Sequence, residues 1–318
     1  MLHCVSFPYS DDRPVLLALR ALKLGDLLVA VPALRALRRA FPEHRIVYAA
    51  QGWLEPVVRL TGSVDEHLHV HGLDEPIPLP PGVVDVAVNL HGNGAESRGR
   101  LEALEPRRRI GHQAPGWEGP EWVLGIHERE RWCRLLQGHG IDAHPGDFRL
   151  DPPAAANPVP DAAVVHVGAA YGSRLWPLDR FAAVARELRD AGHPVVFTGS
   201  EGERPRALEA ARRAGFEEST VVAGTLGLGE FAAVVAGAAV VVAVDTGAAH
   251  LASAYGRPSV VIFGPAPPSE WGPPPGHHIA LTDESQRRGD VFSDDPDPAL
   301  LAVTAADVRA ALVDLGVL

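Results

Sequence analysis

The sequence predicts an α/β protein made of two doubly wound domains, each built on a parallel sheet. Short apolar runs alternate with helix-like segments, and this alternation occurs twice along the chain. Several of the runs are unbroken and β-branched, which is typical of strands buried on both faces. Between the two sets, residues 140–160 are rich in proline and have little periodicity, as expected of a linker.

The length of the chain supports the same division. At 318 residues it is too long for most single cores, and 46% hydrophobic residues is an ordinary fraction for a soluble globular protein. We therefore expect an N-terminal domain over residues 1–155 and a C-terminal domain over residues 156–318. The terminal helix of such a chain can pack back on the N-terminal domain.

In the first half, short apolar runs indicate strands, and apolar residues at helical spacing indicate helices. The first predicted helix has apolar residues on one face and arginines on the other, and Pro32 is tolerated in its early turns. Strands are predicted at Pro14–Arg20, Arg45–Ala50, Glu66–Val70 and Val83–Leu90, and helices at Leu27–Phe41, Trp53–Leu60 and Glu128–Gly138.

The second half repeats the pattern and closes with an amphipathic helix capped by Thr304. The proline-rich residues 264–276 and the acidic residues 283–298 are expected to be surface loops. Strands are predicted at Ala163–Val167, Pro194–Thr198, Thr220–Val222, Val240–Val244 and Ser259–Phe263, and helices at Leu178–Ala191, Glu203–Ala214, Gly229–Ala236 and Thr304–Leu315.

Charge and cysteine content restrict the function classes. The formal net charge is −11, which argues against electrostatic binding of nucleic acid by the protein surface as a whole. Cys4 and Cys133 are the two cysteines, no run of 18 apolar residues occurs, and the N-terminus lacks the layout of a signal peptide. The default expectation is a cytoplasmic protein without disulfides, without a transmembrane segment and without a nucleic-acid partner.

Two carboxylates stand where an apolar run gives way to a helix, Asp26 in the first half and Asp245 in the second. Open α/β sheets bind ligands at the carboxyl ends of their strands, and a helix start attracts anions. If the two domains face each other, both carboxylates point into the cleft between them. Either could act as a general base toward a hydroxyl, and the competing interpretation of Asp245 is a simple helix cap.

Further candidates for phosphate binding follow other strands. Residues 168–177 form a glycine-containing turn that includes Arg174, whose guanidinium suits a diphosphate. Residues 199–203 could contact ribose or sugar hydroxyls, or could simply cap the next helix with an acidic first turn. Arginines 98, 100 and 107–109 either form a solvated face or bind an anionic acceptor.

Four segments together resemble glycosyltransferase family 9, the heptosyltransferase-like enzymes. They read KLGDLLVAVPALRALRRAFP, RLWPLDRF, VVFTGSEGE and VAVDTGAAHLASAYGRPSVVIFGPAPPSEWGP, in the family's order between Val15 and Pro273. The resemblance implies a GT-B fold, with two Rossmann-like domains facing a central cleft. The first domain would hold the acceptor and the second the nucleotide-sugar.

The resemblance also implies a reaction and roles for residues. It implies inverting, metal-independent transfer of a sugar from a nucleotide-diphospho-sugar, typically ADP-heptose, with no further cofactor. The acceptor would be a glycan, a lipid-linked glycan or a small molecule, reached in the cytoplasm or at the inner face of the membrane. Asp26 matches the general base; Arg174, Glu203, Asp245, Thr246, Gly247 and His250 match the donor side, and Gly25, Arg98 and Arg100 are acceptor candidates.

One departure weakens the assignment of ADP-heptose more than it weakens glycosyl transfer. Ala169 and Ala170 stand near the expected phosphates, where hydroxyl side chains can occur in the better-known heptosyltransferases.

Other function classes remain open on the sequence alone. A non-catalytic nucleotide-sugar-binding protein of the same fold would not need Asp26. A dinucleotide oxidoreductase could be argued from Gly92 and Gly94, but Ser97 stands where the third glycine belongs. An aspartic protease needs its Asp-Thr-Gly motif twice in an all-β setting. Alternating histidines at 67, 69 and 71 suggest a metal, but equally fit an exposed strand edge.

Overall fold

The computed structural model describes residues 11–318, so Cys4 lies outside the described residues. Its first sheet has five parallel strands in the order β3-β2-β1-β4-β5. Every residue of the central strand is buried, as its continuous apolar sequence predicts. The strands are β1 (Val15–Leu19), β2 (Arg45–Ala50), β3 (Glu66–His69), β4 (Val84–Asn89) and β5 (Arg108–Ile110).

The second sheet also has five parallel strands, in the order β10-β9-β8-β6-β7. The prediction of two parallel α/β sheets is thus confirmed. The first sheet has the Rossmann order of strands, and the second has the flavodoxin-like order. The strands are β6 (Ala163–His166), β7 (Val195–Thr198), β8 (Val240–Val244), β9 (Ser259–Ile262) and β10 (His278–Leu281).

Helices connect the parallel strands, as a crossover between such strands requires. In the first half they are α1 (Leu24–Ala40), α2 (Glu55–Leu60), α3 (Ala95–Glu102) and α4 (Glu128–Gly138). In the second half they are α5 (Leu178–Asp190), α6 (Arg204–Ala214), α7 (Leu228–Ala236), α8 (Gly247–Tyr255), α9 (Pro268–Trp271), α10 (Pro298–Ala302) and α11 (Ala305–Asp314).

The terminal helix α11 begins with the predicted cap, because the Thr304 hydroxyl accepts from the Asp307 amide at 3.3 Å. The sequence allowed this helix to return to the N-terminal domain. Its buried residues Val308, Ala311 and Leu312 instead join the core of the second sheet, where α11 packs against α5.

The start of one predicted helix and the existence of one predicted strand differ from the structure. Helix α1 begins at Leu24 and not at Leu27, so Asp26 lies in its first turn. The strand predicted at Thr220–Val222 is wrong: a short 3-10 helix covers Glu218–Thr220, and a single parallel bridge joins Val221 to Phe197. The two valines of this segment pack beside β7 without extending the sheet.

The two halves meet through helices at the carboxyl ends of the strands. Helix α1 packs on α8 and helix α2 on α7, within one contiguous apolar cluster that spans both sheets. Residues 139–162, between α4 and β6, contain neither helix nor strand. Within them Asp147 bonds Arg35 of α1 at 2.9 Å, and Arg149 donates to the Ser253 carbonyl of α8 at 3.0 Å. This segment is therefore fastened to both halves.

Candidate active site

Several candidate residues follow the two strands that flank the switch point of each sheet. A doubly wound sheet has a switch point where the strand order reverses, and ligands bind in the crevice outside it. In the first sheet that point lies between β1 and β4, followed by Asp26 and His91 respectively. In the second it lies between β6 and β8, followed by Arg174 and Asp245.

Asp26 is held in the first turn of α1 by two hydrogen bonds. Its Oδ2 accepts from the Lys23 amide at 3.2 Å, closing the helix start in the manner of a capping box. Its Oδ1 accepts from Arg20 at 2.9 Å. The side chain remains 23% exposed, so the carboxylate is fixed in orientation and still reachable by a ligand.

Arg20 directly follows β1 and is 2% exposed. Besides the Asp26 carboxylate, it donates to the backbone carbonyls of Asp26, at 2.7 Å, and of Leu90. Its guanidinium lies 4.6 Å from the centre of the Trp132 ring and 3.8 Å from Glu128 Oε2. Arg20 therefore joins the ends of β1 and β4 to the start of α4, and these partners compensate for the burial of its charge.

Asp245 follows β8 directly, with its side chain 5% exposed. Its Oδ2 lies 3.4 Å from Arg174 Nη1, and its Oδ1 lies 3.7 Å from His250 Nε2. Arg174 also donates to the Asp245 carbonyl at 3.2 Å. Thr246 follows as the N-cap of α8, and its hydroxyl donates to the Val244 carbonyl at 3.1 Å. The first amides of α8, beginning at Gly247, have no acceptor within the helix and can bind an anion.

The two helix starts touch. A Cβ added to Gly25 would lie 3.0 Å from His250 Cδ2, and one added to Gly247 would lie 2.7 Å from the Leu24 side chain. Glycine is therefore favoured at both positions by close approach. The contact brings Asp26 of the first half toward His250 and Asp245 of the second.

Glu203 is placed over the loop that follows β6. Its Oε2 accepts from the Ser200 amide at 2.6 Å, and a Cβ at Gly168 would overlap its carboxyl group. The same carboxylate favours the protonated form of His166, but burial outweighs it and lowers the pKa of that histidine. The capping interpretation of residues 199–203 thus holds in the structure, with the carboxylate also facing the Gly168 turn.

The two acceptor candidates on α3 have different surroundings. Arg98 donates to the backbone carbonyl of Asn93 at 2.5 Å and to its side chain at 3.2 Å, within the turn after β4. Arg100 donates to the carbonyls of Leu73, at 2.6 Å, and Asp74, at 2.9 Å. Arg100 also lines a surface cavity of about 420 Å³ that shares no lining residue with the cluster around Asp26.

His91 was not predicted as a site residue, although it lies just beyond a predicted strand. Its Nδ1 accepts from the Ala21 amide at 3.2 Å, so the proton of the neutral ring is on Nε2. Burial, with the nearby charge of Arg20, lowers the pKa of His91 to about 4. His91 is therefore a neutral hydrogen-bond donor at pH 7, within electrostatic range of Asp26.

His127 was also missed, and it forms a second bridge between the halves. Its Nε2 donates to the Gly272 carbonyl at 2.9 Å, and its Nδ1 accepts from the Arg129 amide. Neighbouring Trp271 packs edge-on against His250, with ring centres 6.1 Å apart. Burial lowers the pKa of His127 to about 4, so it is neutral at pH 7 and holds α4 near the donor candidates.

Residues 134–289 match the family described as glycosyltransferase family 9 (heptosyltransferase). This part of the chain resembles glycosyltransferase family 9. A curated relative, lipopolysaccharide heptosyltransferase 1 of Pseudomonas aeruginosa, is 37% identical over 154 residues. The alignment covers 46% of this chain and 42% of that protein, so the chain spans less than half the length of this curated relative.

Solved structures extend the likeness of fold to nearly the whole chain. A glycosyltransferase family 9 protein from Veillonella parvula has a TM-score of 0.75 at 19% identity, over 96% of this chain and 98% of that one. The ADP-heptose lipopolysaccharide heptosyltransferase II of Escherichia coli also scores 0.75 at 19% identity, over 94% and 98%. The GT-B fold predicted from the family 9 motifs is thus confirmed.

Two further properties of the described residues bear on the site. Within residues 11–318, no cluster of three or more His, Cys, Asp or Glu side chains has the geometry to hold a metal ion. Over the same residues, none of the helices combines the length and apolar character that crossing a bilayer demands.

Proposed function

We propose that the protein is an inverting, metal-independent glycosyltransferase that moves a sugar from a nucleotide-diphospho-sugar to an acceptor hydroxyl. The observation that carries the proposal is the contact between the starts of α1 and α8. This contact supports the proposal because Asp26 belongs to the first turn of α1, while Asp245, Arg174 and His250, which suit a diphosphate and a sugar, cluster at the start of α8. The domain over residues 1–155 would bind the acceptor, and the domain over residues 156–318 the donor.

In this mechanism Asp26 accepts the proton of the acceptor hydroxyl. The freed oxygen forms a bond to the anomeric carbon, and the bond from that carbon to the diphosphate oxygen breaks on the opposite face. The nucleoside diphosphate leaves with the electron pair, and the configuration inverts. The hydrogen bonds from Arg20 and Lys23 fix the Asp26 carboxylate, which matters because a base must lie within about 3 Å of the proton it removes.

The leaving diphosphate gains negative charge as the bond breaks. Arg174 and the first amides of α8 can stabilise that charge, in the way fixed donors stabilise a developing anion. Asp245, held by Arg174 and beside His250, can accept hydrogen bonds from sugar hydroxyls. Fixed positive groups of this kind take the part that a divalent metal plays elsewhere.

The names of the relatives make ADP-heptose the first donor to test, and the acceptor would be a glycan, lipid-linked glycan or small molecule. We place the reaction in the cytoplasm, with peripheral contact at the inner face of the membrane where the acceptor is lipid-linked.

A screen of ADP-, GDP-, UDP- and dTDP-sugars by thermal shift and product analysis tests the proposal. At a concentration 100 times its Kd, a bound donor stabilises the fold by about 2.7 kcal/mol. We expect an ADP-sugar to raise Tm by about 5 °C, and transfer to continue unchanged in EDTA with inversion at the anomeric carbon. The absence of any shift with all four donor classes, or a loss of turnover in EDTA, would contradict the proposal.

Arg174→Ala is expected to weaken ADP binding about thirtyfold, because a guanidinium forms strong charge-assisted hydrogen bonds to phosphate. Calorimetry with ADP and with adenosine measures this, and adenosine affinity should change less than about threefold. Arg174→Lys is the matched control that keeps the charge and should recover part of the loss. An unchanged Kd for ADP in Arg174→Ala would remove this residue from the site.

A further inference from the structure

Of the 29 lysine and arginine residues in the chain, Lys23 is the single lysine. Everywhere else the sequence carries its positive charge on arginine. Lys23 stands three residues before Asp26, at the N-cap of α1. The lysine beside Asp26 is therefore a specific feature of this helix start and not part of a general lysine-rich surface.

The Lys23 side chain reaches across that junction. Its ammonium lies 4.9 Å from the centre of the Tyr171 ring, in the loop that leads from β6 to Arg174. The adjacent Leu24 packs against Gly247, the first residue of α8. Lys23 thus lies between the two backbone segments that the proposed function assigns to the donor diphosphate.

Tyr171 is itself held in place. Its ring packs edge-on against Phe292, with centres 5.1 Å apart. The next two residues also lie against this segment: a Cβ added to Gly172 would lie 1.8 Å from the Asp294 carbonyl oxygen, and the Ser173 amide donates to the Ser293 carbonyl at 2.8 Å. The aromatic surface under the ammonium is therefore fixed, while the ammonium is on a flexible four-carbon chain.

The positive charge of Lys23 is free to bind an anion, whereas the charge of Arg174 is already paired with a carboxylate. Arg174 faces the Asp245 carboxylate at 3.4 Å, whereas no carboxylate of residues 11–318 lies within 4 Å of the Lys23 ammonium. An exposed contact between a cation and a ring is weaker than a charge-assisted hydrogen bond to phosphate. A phosphate in the cleft would therefore draw the ammonium away from Tyr171.

We propose that Lys23 binds the β-phosphate of the donor diphosphate from the side of the acceptor domain, and that the Tyr171 ring is its resting place when the site is empty. This inference rests on the proposed function. A compact ammonium on a flexible stem suits a contact that must form as the donor enters and release as the nucleoside diphosphate leaves. In that position the Lys23 ammonium would help to neutralise the negative charge that develops on the leaving diphosphate, from the side of the cleft where Asp26 lies.

The experiment compares wild type with Lys23→Met and Lys23→Arg, with ADP and AMP as calorimetric probes. We expect Lys23→Met to weaken ADP binding about tenfold and AMP binding less than about threefold, and Lys23→Arg to recover ADP affinity to within about threefold. Arg59→Met, which removes a positive charge from the exposed side of α2, is the control and should leave both affinities unchanged.

Because Lys23 is the single lysine, amine acetylation followed by peptide mapping reports on it alone beside the terminal amine. ADP should slow acetylation of Lys23 at least about fivefold, adenosine should not, and Tyr171→Leu should speed the reaction in the absence of nucleotide. ADP affinity within about twofold of wild type in Lys23→Met, or no protection by ADP, overturns this inference alone. A wild-type protein that binds no ADP overturns the proposed function and this inference together.

Discussion

Asp26→Asn is expected to lower kcat for sugar transfer by about 10³-fold, within the range contributed by a positioned general base. Asparagine can keep an oxygen toward Arg20, so the fold around the residue should survive. It cannot remove a proton from the acceptor hydroxyl. Steady-state transfer with the donor found in the screen measures the effect, and Asp26→Ala should show at least the same loss.

Two measurements separate this result from a general loss of structure. ADP affinity should stay within about threefold of wild type, because Arg174 and the start of α8 bind the donor from the other half. Asp85→Asn is the matched control: Asp85 lies near the amino end of β4, bonds His44 at 3.0 Å, and has a similarly exposed side chain. Turnover by Asp26→Asn within about tenfold of wild type would show that another group is the base.

A wild-type protein that binds ADP-sugars and never transfers them would be the non-catalytic nucleotide-sugar-binding protein of the same fold. In that case Asp26→Asn would leave the affinity for ADP-sugars unchanged. Assaying transfer and binding together on wild type and Asp26→Asn therefore separates the proposed enzyme from this alternative.

The sequence indicates candidate site residues where a buried strand is followed by a carboxylate. Asp26 and Asp245 are candidates because β1 and β8 are apolar throughout, so the first carboxylate after each run marks its carboxyl end. The order of strands was beyond reach, since it depends on pairing between distant segments. For that reason the sequence did not show that His91, after β4, lies within electrostatic range of Asp26.

Elements at the edges of the sheets were missed for a different reason. Strand β5 has three residues, and its two arginines are exposed, so only Ile110 carries the signal of a buried strand. Strand β10 directly follows a run rich in proline and glycine and is only partly buried. Such short edge strands are fixed by pairing with a neighbour and not by their own apolar spacing.

Contacts between the halves were also invisible in the sequence. Gly25 and His250 are far apart along the chain, and the preference for glycine comes from the approach of the two helices. Likewise, Arg20 has the pattern of a polar residue at the end of a strand. Its role depends on Glu128 and Trp132, which α4 brings to it from the end of the first half.

Arg20→Met is expected to destabilise the fold strongly. It removes the cation between the Asp26 and Glu128 carboxylates and leaves the Leu90 and Asp26 carbonyls without their donor. Breaking a buried ion pair in this way costs about 3–5 kcal/mol, which corresponds to a fall in Tm of about 10 °C. Thermal unfolding followed by circular dichroism measures it.

Asp26→Asn in the Arg20→Met background tests the cause, since it neutralises the carboxylate that pairs with Arg20 at 2.9 Å. Part of the lost Tm should return, whereas Glu128→Gln should not restore it, because the Glu128 carboxylate still pairs with Arg131 at 2.6 Å. Arg20→Lys keeps the charge but not the planar set of donors, so it should be intermediate in Tm and should lower kcat more than it changes ADP affinity. Equal Tm values for Arg20→Met and wild type would mean that the Arg20 bonds do not stabilise the fold, and Asp26 would then be positioned by the start of α1 alone.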